Sequence, residues 1–600
     1  MTEAPQQPNA PRGEAAFIAW LQRPGLALRL CLISVALSSP CILTGWHLDD
    51  MVARYIYTDL PGAHRLYALY MGGYGLANGD PAVNHWQIEQ GWAPWWIYDQ
   101  LRLRMFRPVG LMTHWLDALA WPNSAALMHV QSLFWLGLLV LAITRMYRSV
   151  LGKLTAPMAA LLFAIDHTHG FEVGYICNRY ALVTALFGVL SFDCFLRSRV
   201  HGDRHAAFIG PLLYIVALLS GESTIAIAGY VLAYAVFAEA GPWLRRALAC
   251  SPYLLITLIW RAAYNRAGYG ATGSGLYIDP GREPMHFFLE LLQRGPVLLQ
   301  GLFSIPPAEL HPVLGPSGAL LLLLAAWLTV AALVVALVPL LVRDRLARAW
   351  TAGMLFALIP ASSTYPHNRQ LLFASIGGMA LIAQLWQLHA LQLRGTQMSR
   401  ALQWSGKISA FGLLVHLLLS PLGLPVSSCG IAVSTPLSRA PDTIGDEIAG
   451  SDAIFMTAPD YFAVKLVQLS RRVQKQSLPR HWRALSFGEQ AVTVRRTDER
   501  TLELDYDGGI LQTPFTELYR DRRLPMRVGE RIELEGLSIE VLQLTSDGRP
   551  SSARFRFTQP LDAPSFRFYA WIDGRFVPFT PPPVGQRRVL PPATVRWSFS

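Results

Sequence analysis

Two adjacent carboxylates, Asp49 and Asp50, follow His47-Leu48 where an apolar run from Leu26 to Trp46 ends. Ionisable groups at a membrane edge are costly unless they are used, so their position alone makes them functional candidates. A carboxylate placed there suits general-base chemistry. A hydroxyl that attacks an activated electrophile must lose a proton, and a positioned carboxylate can take it. The pair also suits the first turn of a helix opening at Met51, where the helix dipole favours negative charge.

A second cluster is Asp166-His167-Thr168-His169-Gly170-Phe171-Glu172, followed by Asn178-Arg179. Two histidines and two acids in seven residues carry metal-ligating atoms. Their spacing fits no standard site, so no metal or other cofactor is expected, although the residues leave room for a divalent ion. The bland alternative is a polar turn between two spans. Arg179 sits within the apolar run Val173–Phe195, where a guanidinium needs an anion, either Glu172 or a lipid phosphate. Glu222, in Leu219-Ser220-Gly221-Glu222-Ser223, lies between two apolar runs with almost no loop, as a helix cap or as a carboxylate held in a cavity. His367 and Arg369 follow the helix-breaking Pro366. Arg369, Arg107 before Pro108, and Arg261 and Arg266 around Tyr264 are phosphate-binding candidates, because a guanidinium donates in a bidentate fork. Each arginine taken alone reads more readily as a topology anchor.

The elements that position these groups are membrane helices. Of the 600 residues, 52% are hydrophobic and only 15% are charged, against roughly 25% charged in soluble domains. About eleven spans are expected by length and hydropathy, near 27–46, 127–144, 154–170, 174–196, 206–221, 223–241, 247–264, 317–342, 349–363, 370–392 and 408–425. Phe106–Trp121 is read instead as an interfacial amphipathic helix, with Phe287–Phe303 as a second candidate for that role. Arg145, Arg148 and Lys153 share one loop; Arg197, Arg199 and Arg204 share another. Arg245 and Arg246, then Arg343, Arg345 and Arg348, then Arg394, Arg400 and Lys407 follow in alternate loops. These basic loops mark the cytoplasmic face, together with the amino terminus. Every motif named above then falls on the outer side. The expected location is the inner (plasma) membrane, with the C-terminal domain periplasmic.

The net charge of +11 is carried by arginines at the ends of apolar segments, which argues against nucleic-acid binding. The six cysteines form no metal pair and no disulfide framework. No nucleotide-binding glycine motif is present, and Gly72-Gly73-Tyr74-Gly75 reads only as a turn. The activated donor is therefore not expected to be a soluble sugar nucleotide. After Ser451 the pattern changes. Ala453–Thr457 reads as a buried strand and Tyr461–Lys475 as a helix, followed by period-two runs. Asp507-Gly508, Asp547-Gly548 and Asp573-Gly574 predict hairpins. The expected organisation is a transmembrane domain at 1–425 with a large first external loop at 47–107, a linker at 426–450, and an extracytoplasmic β-rich α+β domain at 451–600.

Several motifs together resemble the polytopic GT-C glycosyltransferases, which use polyprenyl-phosphate sugars. The wording is most similar to transmembrane O-mannosyltransferases carrying tetratricopeptide repeats and their bacterial relatives. The resemblance covers roughly the first 400 residues. It rests on Asp49-Asp50, Phe106-Arg107-Pro108-Val109, His169-x-x-Glu172-Val173 with Arg179, Leu219-Ser220-Gly221-Glu222, and Pro366 to Arg369. The repeats are missing here, Gly221 replaces a family lysine, and Ala181 replaces a family aspartate. The resemblance implies an inverting transfer at the outer face from a polyprenyl-phosphate-linked donor to a glycan, lipid or protein acceptor. Asp49 or Asp50 would be the base, with Glu172 and Glu222 as further carboxylates of the site. Arg107, Arg179, Arg261, Arg266 and Arg369, with His169 and His367, would serve substrate binding. Two other classes fit the sequence: a transporter or flippase of lipid-linked saccharide, and a non-catalytic envelope assembly protein with a degenerate GT-C fold.

Overall fold

The computed structural model describes residues 12–58, 75–392, 399–488, 490–513 and 515–595. Gly72, Gly73 and Tyr74 of the predicted turn, and Arg394 of the last basic loop, lie outside these residues. The helices are α1 (Arg12–Leu21), α2 (Leu26–Ser38), α3 (Asp49–Thr58), α4 (Pro81–Glu89), α5 (Pro108–Ala120), α6 (Ala125–Val150), α7 (Thr155–Ala164), α8 (Gly170–Gly174), α9 (Arg179–Val200), α10 (Arg204–Leu218), α11 (Ile225–Ala233), α12 (Trp243–Arg266), α13 (Pro284–Phe303), α14 (Pro316–Arg343), α15 (Arg345–Ala361), α16 (Leu372–Gln392), α17 (Arg400–Leu414), α18 (Ser420–Ser428) and α19 (Tyr461–Val473).

Each of the eleven expected spans is helical. Among the described residues, however, only seven stretches are long and apolar enough to cross a membrane: Leu26–Leu43, Ala125–Val150, Ile176–Val200, Trp243–Arg266, Pro316–Arg343, Asn368–Ala390 and Arg400–Ser428. Thr155–Ala164, Arg204–Leu218 and Glu222–Ala238 are apolar but shorter. The shortfall has a local cause. The run expected at 154–170 stops at Ala164 because Asp166 starts a new turn, its carboxylate accepting from the Thr168 N–H at 3.1 Å. Helix α5 has 13 residues and exposes Met112, Trp115, Leu116 and Leu119 while burying Leu111, Thr113 and Asp117. That is the two-faced pattern of a helix lying along an interface. The chain is a predominantly helical multi-pass membrane protein with a β-rich C-terminal part.

Alternation places the C-terminal strands. β4 (Asp452–Phe455), β5 (His481–Ala484), β11 (Phe566–Ile572) and β12 (Arg575–Pro578) form a sheet in the order β12-β11-β4-β5. β6 (Val492–Arg496), β7 (Thr501–Tyr506), β8 (Arg531–Leu534), β9 (Leu537–Leu544), β10 (Pro550–Phe557) and β13 (Arg587–Leu590) form the antiparallel order β13-β6-β7-β10-β9-β8. Asp573 and Gly574 both take positive φ (50° and 81°) and turn β11 into β12 as predicted. Asp547-Gly548 likewise joins β9 to β10. Asp507-Gly508 does not form the predicted hairpin, since β7 pairs with β6 and β10. The chain instead enters a long loop, 507–530, whose Ile510, Leu511, Leu518, Tyr519 and Met526 are buried.

One apolar core joins these sheets to the membrane-side loops. It includes Trp95, Trp96, Leu101 and Leu103 of the segment between α4 and α5, Ala271 and Leu276 of the segment between α12 and α13, and Phe455, Val464, Leu504 and Phe555 of the C-terminal part. The stretch 426–450, expected as a linker, is a run of short helices whose Leu437, Ala440, Ile444 and Ile448 enter the same core. β2 (Arg102–Arg104) pairs with β1 (Ala77–Asn78) on one side and with β3 (Gly270–Thr272) on the other, tying inter-helix segments into one small sheet.

Candidate functional site

Asp49 and Asp50 open α3, as the helix-dipole reading required. Leu48, just before them, takes a positive φ of 43°, a conformation that is strained for a leucine. The two carboxylates then diverge. Asp50 is 3% exposed and accepts from the backbone N–H of His47 at 3.0 Å and of Cys177 at 2.8 Å. It fastens α3 to the segment preceding α9. Burial pushes its carboxyl up to about 7, against the pull of those two donors. Asp49 is only half-buried, and Oδ2 accepts from the Tyr175 hydroxyl at 3.0 Å. Tyr175, Cys177, Ala53, Tyr57 and Ile431 form the apolar cluster beneath.

Tyr175 leads to the next group. Arg369 interacts electrostatically with the phenols of Tyr175, Tyr180, Tyr277 and Tyr365. Its guanidinium lies 5.2 Å from the Tyr365 ring and 5.9 Å from the Phe171 ring. Among the described residues no carboxylate forms an ion pair with it, and its buried Nε has no hydrogen-bond partner. His367 caps the turn that displays Arg369, its Nδ1 accepting from the Arg369 N–H at 3.1 Å, and its ring packs on Phe171 at 4.5 Å. Glu172 follows Phe171 and is fully buried, and among the described residues neither of its oxygens has a hydrogen-bond partner. Burial pushes it well above the usual carboxylate range, while Arg369 pulls the other way. A buried polar group left in this state is expensive.

Arg107 and Glu222 meet on the far side of Tyr180. Arg107 Nε donates to Glu222 Oε2 at 2.7 Å, and Tyr264 donates to the other oxygen at 3.1 Å. The Arg107 guanidinium lies 3.9 Å from the Tyr180 ring. Neighbouring Glu222 raises its pKa against the cost of burial. The Tyr277 phenol, pushed up to about 12 by burial, interacts with both Arg369 and Arg107. Contacts thus link Asp49, Tyr175, Phe171, Arg369 and Tyr365 in a series, and Tyr277 lies within electrostatic reach of both Arg369 and Arg107. Gly221 packs against Tyr180 and Thr184. A Cβ there would lie 2.7 Å from Thr184 Oγ1, so a larger residue has no room.

Other candidates lie elsewhere. Arg179 is fully buried with its guanidinium saturated: it pairs with Asp117 and Gln131, and donates to Ser132 Oγ at 3.0 Å and to the Met128 carbonyl at 2.6 Å. Its anion is therefore Asp117, neither Glu172 nor a lipid phosphate. Arg261 donates to both oxygens of Asp279 at 2.6 and 2.8 Å. Arg266 is exposed at the end of α12. His169 is buried with its ring 4.4 Å from Phe163. Among the described residues no group of three or more His, Cys, Asp or Glu stands where it could hold a metal ion.

Sequence reasoning missed the phenols. Tyr175, Tyr180, Tyr277 and Tyr365 line the series, yet each stands in an ordinary aromatic context. Asp117 was findable, as an acid inside an apolar segment.

No family model matches the chain, and no curated protein matches it. Among solved structures it is similar to Archaeoglobus fulgidus oligosaccharyltransferase AglB in complex with an inhibitory peptide and a dolichol-phosphate (12% identity, 76% of this chain, 64% of that chain, TM-score 0.39). It is also similar to ArnT from Cupriavidus metallidurans bound to undecaprenyl phosphate (14% identity, 78% of this chain, 90% of that chain, TM-score 0.34). The chain spans 64% of the length of the oligosaccharyltransferase. The likeness to membrane glycosyltransferases expected from the motifs is thus met among solved structures, at a level that carries no further argument about this chain.

Proposed function

We propose that this protein transfers a sugar, with inversion, from a polyprenyl-phosphate-linked donor to an acceptor hydroxyl on the outer side of the inner membrane. The observation that carries this reading is that Asp49 and Arg369, remote in sequence, are linked through Tyr175 and Phe171, and that among the described residues no carboxylate forms an ion pair with Arg369. A cation among phenols and without a counter-ion suits a phosphate. A half-buried carboxylate steered by a phenol suits a base.

In the proposed step the acceptor oxygen bonds to the sugar's anomeric carbon as the bond to the lipid phosphate oxygen breaks. The bonding pair leaves with the phosphate, and the acceptor proton passes to Asp49. A single displacement of this kind inverts the anomeric centre. Arg369 holds the leaving phosphate, with positioning and charge stabilisation doing the catalysis. Arg107, already neutralised by Glu222, orients the phenols beside it. Burial, which pushes Glu172 above the usual carboxylate range, keeps it from serving as the counter-ion of Arg369. Asp50 fixes α3 and takes no proton from the acceptor.

The test is release of polyprenyl phosphate from a labelled lipid-linked sugar by purified protein. Loss of release in both Asp49→Asn and Arg369→Gln, with the fold intact, supports transfer. Full turnover in Asp49→Asn removes it, and lipid-linked sugar crossing the bilayer without cleavage selects the flippase. Reporter fusions after Arg148 and Ser600 are expected to report opposite faces, with the amino terminus cytoplasmic; the same face for both overturns the orientation.

A further inference from the structure

The C-terminal domain reaches the same site from the other direction. Helix α19 packs against α3, the helix that carries Asp49. Arg472 of α19 lies 5.9 Å from the Tyr55 ring of α3 and 5.5 Å from Trp92. Lys465, on the same helix, is 9% exposed and interacts electrostatically with Asp49. Among the described residues no carboxylate forms an ion pair with its ammonium, and no hydrogen bond holds it. Burial lowers its pKa and Asp49 raises it.

The loop 507–530, which replaces the predicted hairpin, arrives beside it. Tyr519 is 2% exposed, its ring packs on Tyr461 at 5.3 Å, and it too interacts with Asp49. Its hydroxyl is buried without a partner. A few residues earlier, Phe515 is 43% exposed and lies 6.1 Å from Tyr365, the ring that covers Arg369. One loop therefore runs from the Asp49 end of the site to the Arg369 end. Long loops without secondary structure inside a compact domain are mostly functional.

We infer that the C-terminal domain forms the acceptor half of the site, and that the acceptor is an acidic saccharide whose phosphate or carboxylate binds Lys465 beside Asp49. The Lys465 stem is mostly buried while its ammonium keeps an open edge and has no counter-ion among the described residues, so an anion brought by a ligand can reach and pair with it. Asp49 stays outside ion-pairing distance, so the lysine does not serve merely to neutralise the base. Tyr519 offers its unused hydroxyl to the same ligand. Phe515 presents an apolar ring against which the C–H face of a sugar can pack.

This inference rests on the transfer reading, and the experiment separates the two. Full-length protein in phosphatidylcholine nanodiscs is titrated with undecaprenyl phosphate, with a galacturonic acid trimer and its galactose counterpart, and with hexose 6-phosphate and hexose. The wild type is expected to bind one acidic probe at least about tenfold tighter than its neutral counterpart, as for a hydrogen-bonded charge pair. Whether that probe is the carboxylate or the phosphate identifies the acidic group. Lys465→Met should abolish the preference, Lys465→Arg should keep it, and both should bind undecaprenyl phosphate as the wild type does. A preference that survives in Lys465→Met, or is missing in the wild type, overturns the inference. So does loss of undecaprenyl phosphate binding in Lys465→Met, which would move the lysine to the donor side. Failure of the wild type to bind undecaprenyl phosphate instead overturns the transfer reading.

Discussion

Arg179 and Arg369 begin as equals in the sequence and end as opposites. Each stands near the start of an apolar helix, after a short polar motif. Arg179 has Asp117, Gln131, Ser132 and the Met128 carbonyl around it and is fully buried. Arg369 has aromatic rings and, among the described residues, no carboxylate in an ion pair and no hydrogen-bond partner for its buried Nε. An arginine whose donors are all occupied holds a structure together. One whose donors are free is poised for a ligand.

The sharpest way to break this comparison is to remove each guanidinium. Arg369→Gln is expected to lower turnover about 10²–10³-fold, as when a donor to a developing charge is lost. Its thermal unfolding in detergent should stay close to wild type. Arg179→Leu should do the reverse. It strands the buried Asp117 carboxylate, a loss of about 3–5 kcal/mol, visible as poor yield or early unfolding. If Arg179→Leu folds normally and only turnover falls, the two roles are misassigned.

The neighbouring carboxylates sharpen the same distinction. Asp49→Asn should cost about 10²–10⁴-fold in turnover and little stability. Asp50→Asn should cost about 1–3 kcal/mol of stability, because a buried N–H loses its acceptor or meets a donor amide. The pH dependence follows from burial. With the native carboxyl of Asp50 near 7 and the unfolded one lower, the native state binds more protons between those values. That group's contribution to stability is therefore full below the unfolded pKa and is lost as pH rises toward 7. Melting temperatures measured across that window should fall less steeply in Asp50→Asn than in wild type. Equal slopes would show that Asp50 is not held neutral. The smallest effect belongs to Arg266→Ala. The side chain is exposed, so stability should move by less than about 0.5 kcal/mol, with turnover unchanged.

Hydropathy and charge in the sequence determined the membrane helices, since apolar length and basic loop ends are properties of the chain alone. Period-two alternation likewise determined β6, β7, β9, β10 and β11, and the turn at Asp573-Gly574. Motif wording placed Asp49, Glu172, Glu222, Arg107 and Arg369 among the candidates. Tertiary structure decided which of them are free. Whether Arg107 or Arg179 is already paired depends on Glu222 and Asp117, acids 115 and 62 residues away. The separate fates of Asp49 and Asp50 depend on Tyr175 and on the Cys177 N–H, both in a later segment. Nothing near Lys465 or Tyr519 in the sequence points to Asp49. They come near one another because the segment between α4 and α5 and the C-terminal strands bury their apolar faces in one core, and such burial is non-directional and reads no local pattern.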